Sequence, residues 1–163
     1  MNKEDILKLV FTTHDELTEK SAVMKGFLEV VKKKDVWLDI AGIVEFYNST
    51  IIEHFLKENA LVGLILKNPG INSYNVSNFS KIIQEHQKMI KDIRQLKDLS
   101  VQASNGEGAA ADEFIKICYK LMNDLSAHAR DEDAVLYPVA SQILSDVEIA
   151  QLAGEIKRIT KTA

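Results

Sequence analysis

Residues 37–70 read WLDIAGIVEFYNSTIIEHFLKENALVGLILKNPG. Trp37, Ile40, Ile43, Val44, Tyr47, Ile51, Phe55, Leu61 and Leu64 recur three and four apart along most of this stretch, the spacing that puts side chains on one face of an α-helix. Asn68-Pro69-Gly70 then stops it, because proline lacks the N–H that a helix needs and glycine readily leaves helical conformation. A helix is therefore expected from just after Asp35 to about Lys67. Polar Asn48, Glu53 and Lys57 fall outside the apolar series. His54 and Glu58, close to the stripe, are the two polar residues that its packing does not explain.

The same period continues on both sides. Upstream, Ile6, Leu7, Val10, Phe11, Leu17, Met24 and Leu28 mark a helix from about Lys3 to Lys33. Thr13 with Glu16 fits a capping box, so a break near Phe11 or Thr12 is allowed. Downstream, Ile71 to Ser77 is polar and reads as a loop, with Ser77 or Asn78 capping a third helix that carries Phe79, Ile82, Ile83, Met89, Ile90, Ile93 and Leu96. Ser104-Asn105-Gly106-Glu107-Gly108 is the next loop. A fourth helix from about Ala109 carries Phe114, Ile117, Cys118, Leu121, Leu125, Val135 and Leu136, and Pro138 should bend or interrupt it. Ser145 with Glu148 then caps a short last helix ending near Ile159. Four long apolar-striped segments with short connections predict an all-α, up-down-up-down four-helix bundle with a short additional C-terminal helix, formed as a single domain over residues 1–163.

Composition narrows the functional classes. With 163 residues, 46% of them hydrophobic, the chain can bury a core without disulfides, and its one cysteine, Cys118, permits no internal pair and no CxxC metal or redox motif. Cys118 and the methionines read as packing residues. The net charge of −4 argues against nucleic acid as a partner, since that footprint needs a basic face. Lys32-Lys33-Lys34 reads as a solvated helix end rather than a phosphate-binding patch. No apolar run of about 18 residues exists to cross a membrane, and Met1-Asn2-Lys3-Glu4-Asp5 lacks the basic start of a secretion signal. A cytoplasmic location with no membrane partner is the expectation. There is no nucleophile triad, phosphate-cradling glycine loop or dinucleotide fingerprint.

The chemistry must therefore come from the histidines. There are four, His14, His54, His86 and His128, one on each long helix, with largely apolar neighbours three and four residues away. Each imidazole should face the interior, where both ring nitrogens need partners. Two histidines are followed at i+4 by glutamate, His54 by Glu58 and His128 by Glu132, and that spacing returns both side chains to one helix face. One such pair is weak information, because with 24 acidic residues in 163 a carboxylate falls at a given position about one time in seven. A single inward histidine is also commonly a satisfied core residue. One histidine per helix together with two carboxylates fits a metal site in the bundle core, as in the carboxylate-rich metal bundles.

The series His14, His54-x-x-x-Glu58, His86, His128-x-x-x-Glu132 resembles the hemerythrin-like (HHE cation-binding) domain. Glu53-His54-Phe55-Leu56-Lys57-Glu58-Asn59 is similar to its second-helix signature, and Glu132-Asp133-Ala134-Val135-Leu136-Tyr137-Pro138 to the end of its fourth helix. The likeness spans about His14 to Pro138. It implies a non-haem di-iron centre in which His14 and His54 bind one iron, His86 and His128 the other, and Glu58 and Glu132 bridge them with an oxo or hydroxo group. Manganese or zinc could also occupy such ligands. Asp133 stands where the oxygen carriers have a bridging aspartate, and Glu132 is preferred because i+4 shares the face of His128 better.

The resemblance further implies binding or sensing of oxygen, nitric oxide or peroxide at an open iron position, a metal- and gas-binding role more than that of an ordinary enzyme. Ile82 and Ile90 occupy the places where oxygen carriers have a further histidine, which speaks against simple oxygen transport. The four-histidine, two-glutamate set looks more like the bacterial domain tied to repair of damaged iron centres, so iron handling is the alternative, and a metal-free helical interaction module is the third. Glu53 and Glu85 precede histidines but should point to solvent by their angular offset. Tyr47, two turns before His54, is either a second donor at the site or a packing residue. Neither a protein partner nor an oligomeric state can be read from the chain.

Overall fold

The computed structural model describes residues 2–11 and 13–162, without the side chain of Thr162. They form α1 (Lys3–Phe11), α2 (Thr13–Val30), α3 (Trp37–Phe46), a π-helical turn at Tyr47–Ile51, α4 (Ile52–Lys67), α5 (Ser73–Ser104), α6 (Gly108–Asp131), a second π-helical turn at Glu132–Leu136, α7 (Tyr137–Ile143) and α8 (Asp146–Thr162). Every flanking residue of the two π turns keeps right-handed helical dihedrals, so α3–α4 and α6–α7 are continuous rods. No strand occurs among the described residues, and none of their helices is long and apolar enough to cross a membrane.

The direction of each rod follows from where its apolar residues go. One core cluster takes Leu17 to Leu28 from α2, Ile40 to Phe55 from α3–α4, Met89 to Leu96 from α5 and Phe114 to Leu125 from α6. The other takes Ile6 to Val10, Leu61 to Ile65, Phe79 with Ile82, and Leu136 to Ala140. Successive rods thus enter the two halves in alternating order, which is the up-down-up-down bundle the periodicity implies. Helix α8 packs against α4 and α1 and places Ile149, Leu152 and Ile156 in the second half only. His14, His54, His86 and His128 fall between the halves on every rod.

Local chemistry sets the ends. Asn2 and Asp5 exchange hydrogen bonds at the start of α1, the Asn2 N–H donating to Asp5 Oδ2 at 3.1 Å and the Asp5 N–H to Asn2 Oδ1 at 2.8 Å. The expected break near Phe11 or Thr12 lies at Thr12, outside the described residues, with helix on either side of it at Phe11 and Thr13. Ser145 caps α8 as expected: its N–H and hydroxyl both donate to Glu148 Oε2 at 2.7 Å. Gly106, at φ +94°, turns the chain between α5 and α6 in a conformation that favours glycine.

One expectation is corrected. The segment Ile71 to Ser77 is not a loop, for α5 starts at Ser73 and is capped by Asn72, whose Oδ1 accepts from the Asn75 N–H at 2.8 Å. Its first turns are polar because they stand in solvent; Tyr74 is 73% exposed. Ahead of Pro138 the α-helical register gives way to a wide π turn, as the sequence suggests, while the rod runs on; the missing N–H would otherwise deprive an α-register carbonyl of its partner.

Candidate metal centre

Six side chains meet in the layer between the two apolar halves. The buried polar side chains of the described residues are His54, Glu58, His86, His128, Glu132 and, elsewhere, Ser100. His14 completes the group with 11% of its side chain exposed. Each i+4 pair closes as helical spacing dictates: His54 Nε2 lies 3.2 Å from Glu58 Oε1, and His128 Nε2 lies 3.0 Å from Glu132 Oε1. Across the bundle, His14 Nε2 is 3.1 Å from His54 Nε2, and His86 Nε2 is 2.7 Å from His128 Nε2. The imidazoles therefore form two pairs.

Each carboxylate spans both pairs with one oxygen toward each. Glu58 turns Oε1 to His54 and Oε2 to His86, the latter at 3.4 Å. Glu132 turns Oε1 to His128 and His86, at 3.0 and 3.4 Å, and Oε2 to His14 at 3.5 Å. Two sets of ligand atoms result, each lying within 4.8 Å of one another: one from His14, His54, Glu58 and Glu132, the other from Glu58, His86, His128 and Glu132.

The outer ring nitrogens decide what the inner ones present. His86 Nδ1 is 2.8 Å from Asn59 Oδ1, His128 Nδ1 is 3.0 Å from Glu85 Oε2, and His14 Nδ1 is 3.2 Å from Asp133 Oδ1. All three partners are acceptors, so each Nδ1 carries the hydrogen and each neutral ring turns a bare Nε2 lone pair inward. His54 differs: Nδ1 has no hydrogen bond, although the Val10 backbone influences the ring. Glu58 Oε2 and both oxygens of Glu132 are likewise buried without a hydrogen bond. Facing lone pairs and buried carboxylate oxygens are costly unless cations lie among them, and imidazole with carboxylate suits divalent first-row metals such as iron, manganese or zinc.

Without a metal the protons distribute unevenly. Burial, with the nearby Glu132 charge, pushes the Glu58 carboxyl well above the usual range. Burial acts on Glu132 in the same direction, but the close imidazoles of His128, His14 and His86, which favour the charged carboxylate, outweigh it and hold that carboxyl well below. Burial and the other imidazoles push His54 down to about 3. On His128 burial lowers proton affinity, yet Glu132 and Glu85 reverse the balance and raise it. A metal entering here displaces the remaining protons, so affinity should rise with pH.

Three surrounding residues were given no role at the site by the sequence. Tyr137 donates its hydroxyl to Glu58 Oε1 at 3.0 Å, and burial together with the Glu58 charge holds it as the neutral phenol. Asn59 and Glu85 orient two histidines. The expectation that Glu85 points to solvent is corrected: its side chain bends between Lys81, at 3.2 Å, and His128 on the neighbouring helix. Glu53 instead pairs with Lys57. Tyr47 is a packing residue whose hydroxyl lies 3.2 Å from Ser21 Oγ.

No curated protein matches the chain. The sequence profile of the hemerythrin HHE cation-binding domain matches residues 5–140 and, in a second overlapping alignment, residues 77–162. The first match runs through all six side chains of the buried layer, and the chain belongs to the hemerythrin HHE cation-binding domain family.

Proposed function

We propose that the protein is a non-haem di-iron protein that binds or senses a small ligand, oxygen, nitric oxide or peroxide, at an open iron position. His14 and His54 serve one iron, His86 and His128 the other, and Glu58 and Glu132 bridge the pair. The observation that carries this reading is the inward convergence of the imidazole Nε2 atoms on carboxylate oxygens that have no hydrogen-bond donor. Bound there, the iron pair supplies redox chemistry and, with an oxo or hydroxo bridge, a coordination position left free by the protein. The chain's own residues hold three of the four rings in one tautomer, exclude bulk water with two apolar clusters, and keep the Tyr137 hydroxyl on Glu58 as a hydrogen-bond donor.

Metal analysis after anaerobic iron loading tests it. Two irons per chain are expected, and adding oxygen or nitric oxide to the reduced, iron-loaded protein should change its optical spectrum, with oxo-bridge charge-transfer absorption once it is oxidised. His54→Ala and Glu58→Ala should each lower the iron content. Unchanged metal content in both variants would instead support a metal-free helical module.

A second reading, in which iron is cargo delivered to or taken from damaged iron centres, is favoured by the partial exposure of His14 at one edge of the layer. Transfer of iron to an apo acceptor cluster tests it, and full retention in the presence of such an acceptor counts against it.

A further inference from the structure

We propose that the two metal positions are unequal: the one served by His86 and His128 fills first and holds tightly, and the one served by His14 and His54 is the exchangeable port. This rests on the metal-binding reading above and adds to it which pair of imidazoles does which job.

The difference lies in how each ring is held. His86 and His128 sit inside the long helices α5 and α6, which pack along each other, with 0% and 4% of their side chains exposed. Both have their Nδ1 hydrogen fixed, by Asn59 at 2.8 Å and by Glu85 at 3.0 Å, and Glu85 is itself steadied by Lys81. Phe55 stacks on the His86 ring, with centroids 4.3 Å apart. Both Nε2 atoms are thus set before any metal arrives, and such outer partners strengthen a ligand's hold.

The other pair lacks this support. His54 Nδ1 has no side-chain partner among the described residues, only the Val10 backbone nearby. The outer partner of His14 among the described residues, Asp133, is 59% exposed and so is a weak restraint.

The surface agrees with this division. His14 and Asp133 line a cleft between α2 and α6 whose walls include Thr18, Ser21, Ser126 and Arg130. Leu17, Lys25 and Met122 complete its lining, and the cleft brings solvent to His14. A second cleft touches His128, but from the side where Glu85 occupies the ring's outer edge. The carboxylate at the outer edge of His14, Asp133, is itself 59% exposed, against 33% for Glu85.

Anaerobic titration of the metal-free full chain with cobalt(II), followed by d–d absorption and calorimetry, reads the two positions separately. Two steps are expected, with affinities about 10- to 100-fold apart, the range that outer hydrogen bonds to ligands command. A chelator should then remove one equivalent quickly and the other slowly. His14→Ala should abolish the weak step and leave the strong one, whereas His86→Ala should remove the strong step. Glu85→Ala, which leaves all six inner side chains in place, should narrow the gap from the tight side. Two equal steps, a single cooperative step, or loss of the strong step in His14→Ala would overturn the inequality while leaving the metal site standing. Absence of any cobalt binding by the folded wild type would remove the metal reading itself.

Discussion

Glu132 and Asp133 are neighbours in sequence and reach opposite sides of the same ring. Glu132 Oε2 approaches His14 Nε2 at 3.5 Å from inside the layer, and Asp133 Oδ1 approaches His14 Nδ1 at 3.2 Å from outside. The residues should therefore fail differently. Glu132→Gln removes an inner carboxylate charge shared by both imidazole pairs, and metal content should fall to one ion per chain or none. Asp133→Asn keeps an acceptor oxygen for His14, and it should still load, with affinity for the second ion lowered by about 10-fold or less. Elemental analysis of the two purified variants checks this, and equal losses would show that Asp133 acts as an inner ligand. The six inner residues were legible because i+4 spacing and one histidine per helix are features of the chain itself. Asn59 and Glu85 were not, since each meets its histidine across a helix pair. Tyr137 follows Glu132 by five residues, which on an α-helix is roughly 140° away; the π turn at Glu132–Leu136 widens the register and brings it back to Glu58.

Helix boundaries were readable where one side chain caps the residue three along, and misread where polarity had another cause. Ser145 and Glu148 close the start of α8 as the sequence suggests, whereas the polar residues of the α5 start look like a loop and are an exposed helix end. The two π turns left no mark in the apolar period, because one inserted residue shifts a stripe less than its own width. At the α8 start, hydrogen bonds from the Ser145 backbone and hydroxyl hold the Glu148 carboxyl below its ordinary value. Asn68 Nδ2 also donates to Glu148 Oε1, at 3.3 Å, and to the Ile143 carbonyl, at 3.2 Å, tying the end of α4 to the α7–α8 corner. Ser145→Ala should cost about 1 kcal/mol at neutral pH. The sign with acid follows from the lowered carboxyl: its contribution is fully present above the unfolded value, near 4.5, and is lost as pH falls through the folded one. The gap between wild type and Ser145→Ala in denaturant melts should therefore shrink below about pH 4.5. A gap that is constant down to pH 3 would mean that the carboxylate plays no part in the cap.

Over the whole molecule, the buried polar layer is a seam between two apolar clusters, each formed from all four rods. An unfilled seam weakens the fold, because it holds carboxylate oxygens and an imidazole nitrogen without partners. Metal removal should then lower stability, and at free metal about 100-fold above its dissociation constant each site contributes about 2.7 kcal/mol. For a domain of this size that corresponds to a rise in Tm of about 5–10 °C per site. Glu58→Met separates the seam's cost from the metal's contribution. In metal-free protein the substitution exchanges a buried carboxyl for an apolar chain of similar length, and should be neutral or stabilising by about 1 kcal/mol, with the loss of the Tyr137 hydrogen bond working against it. In the presence of metal the order should reverse, the wild type melting higher because Glu58→Met no longer gains from the ion. Thermal melts of both proteins, with chelator and with saturating metal, give the four numbers required. A wild type whose Tm is indifferent to a metal that elemental analysis shows to be bound would mean that the ion sits outside the seam, where it bridges nothing between the rods.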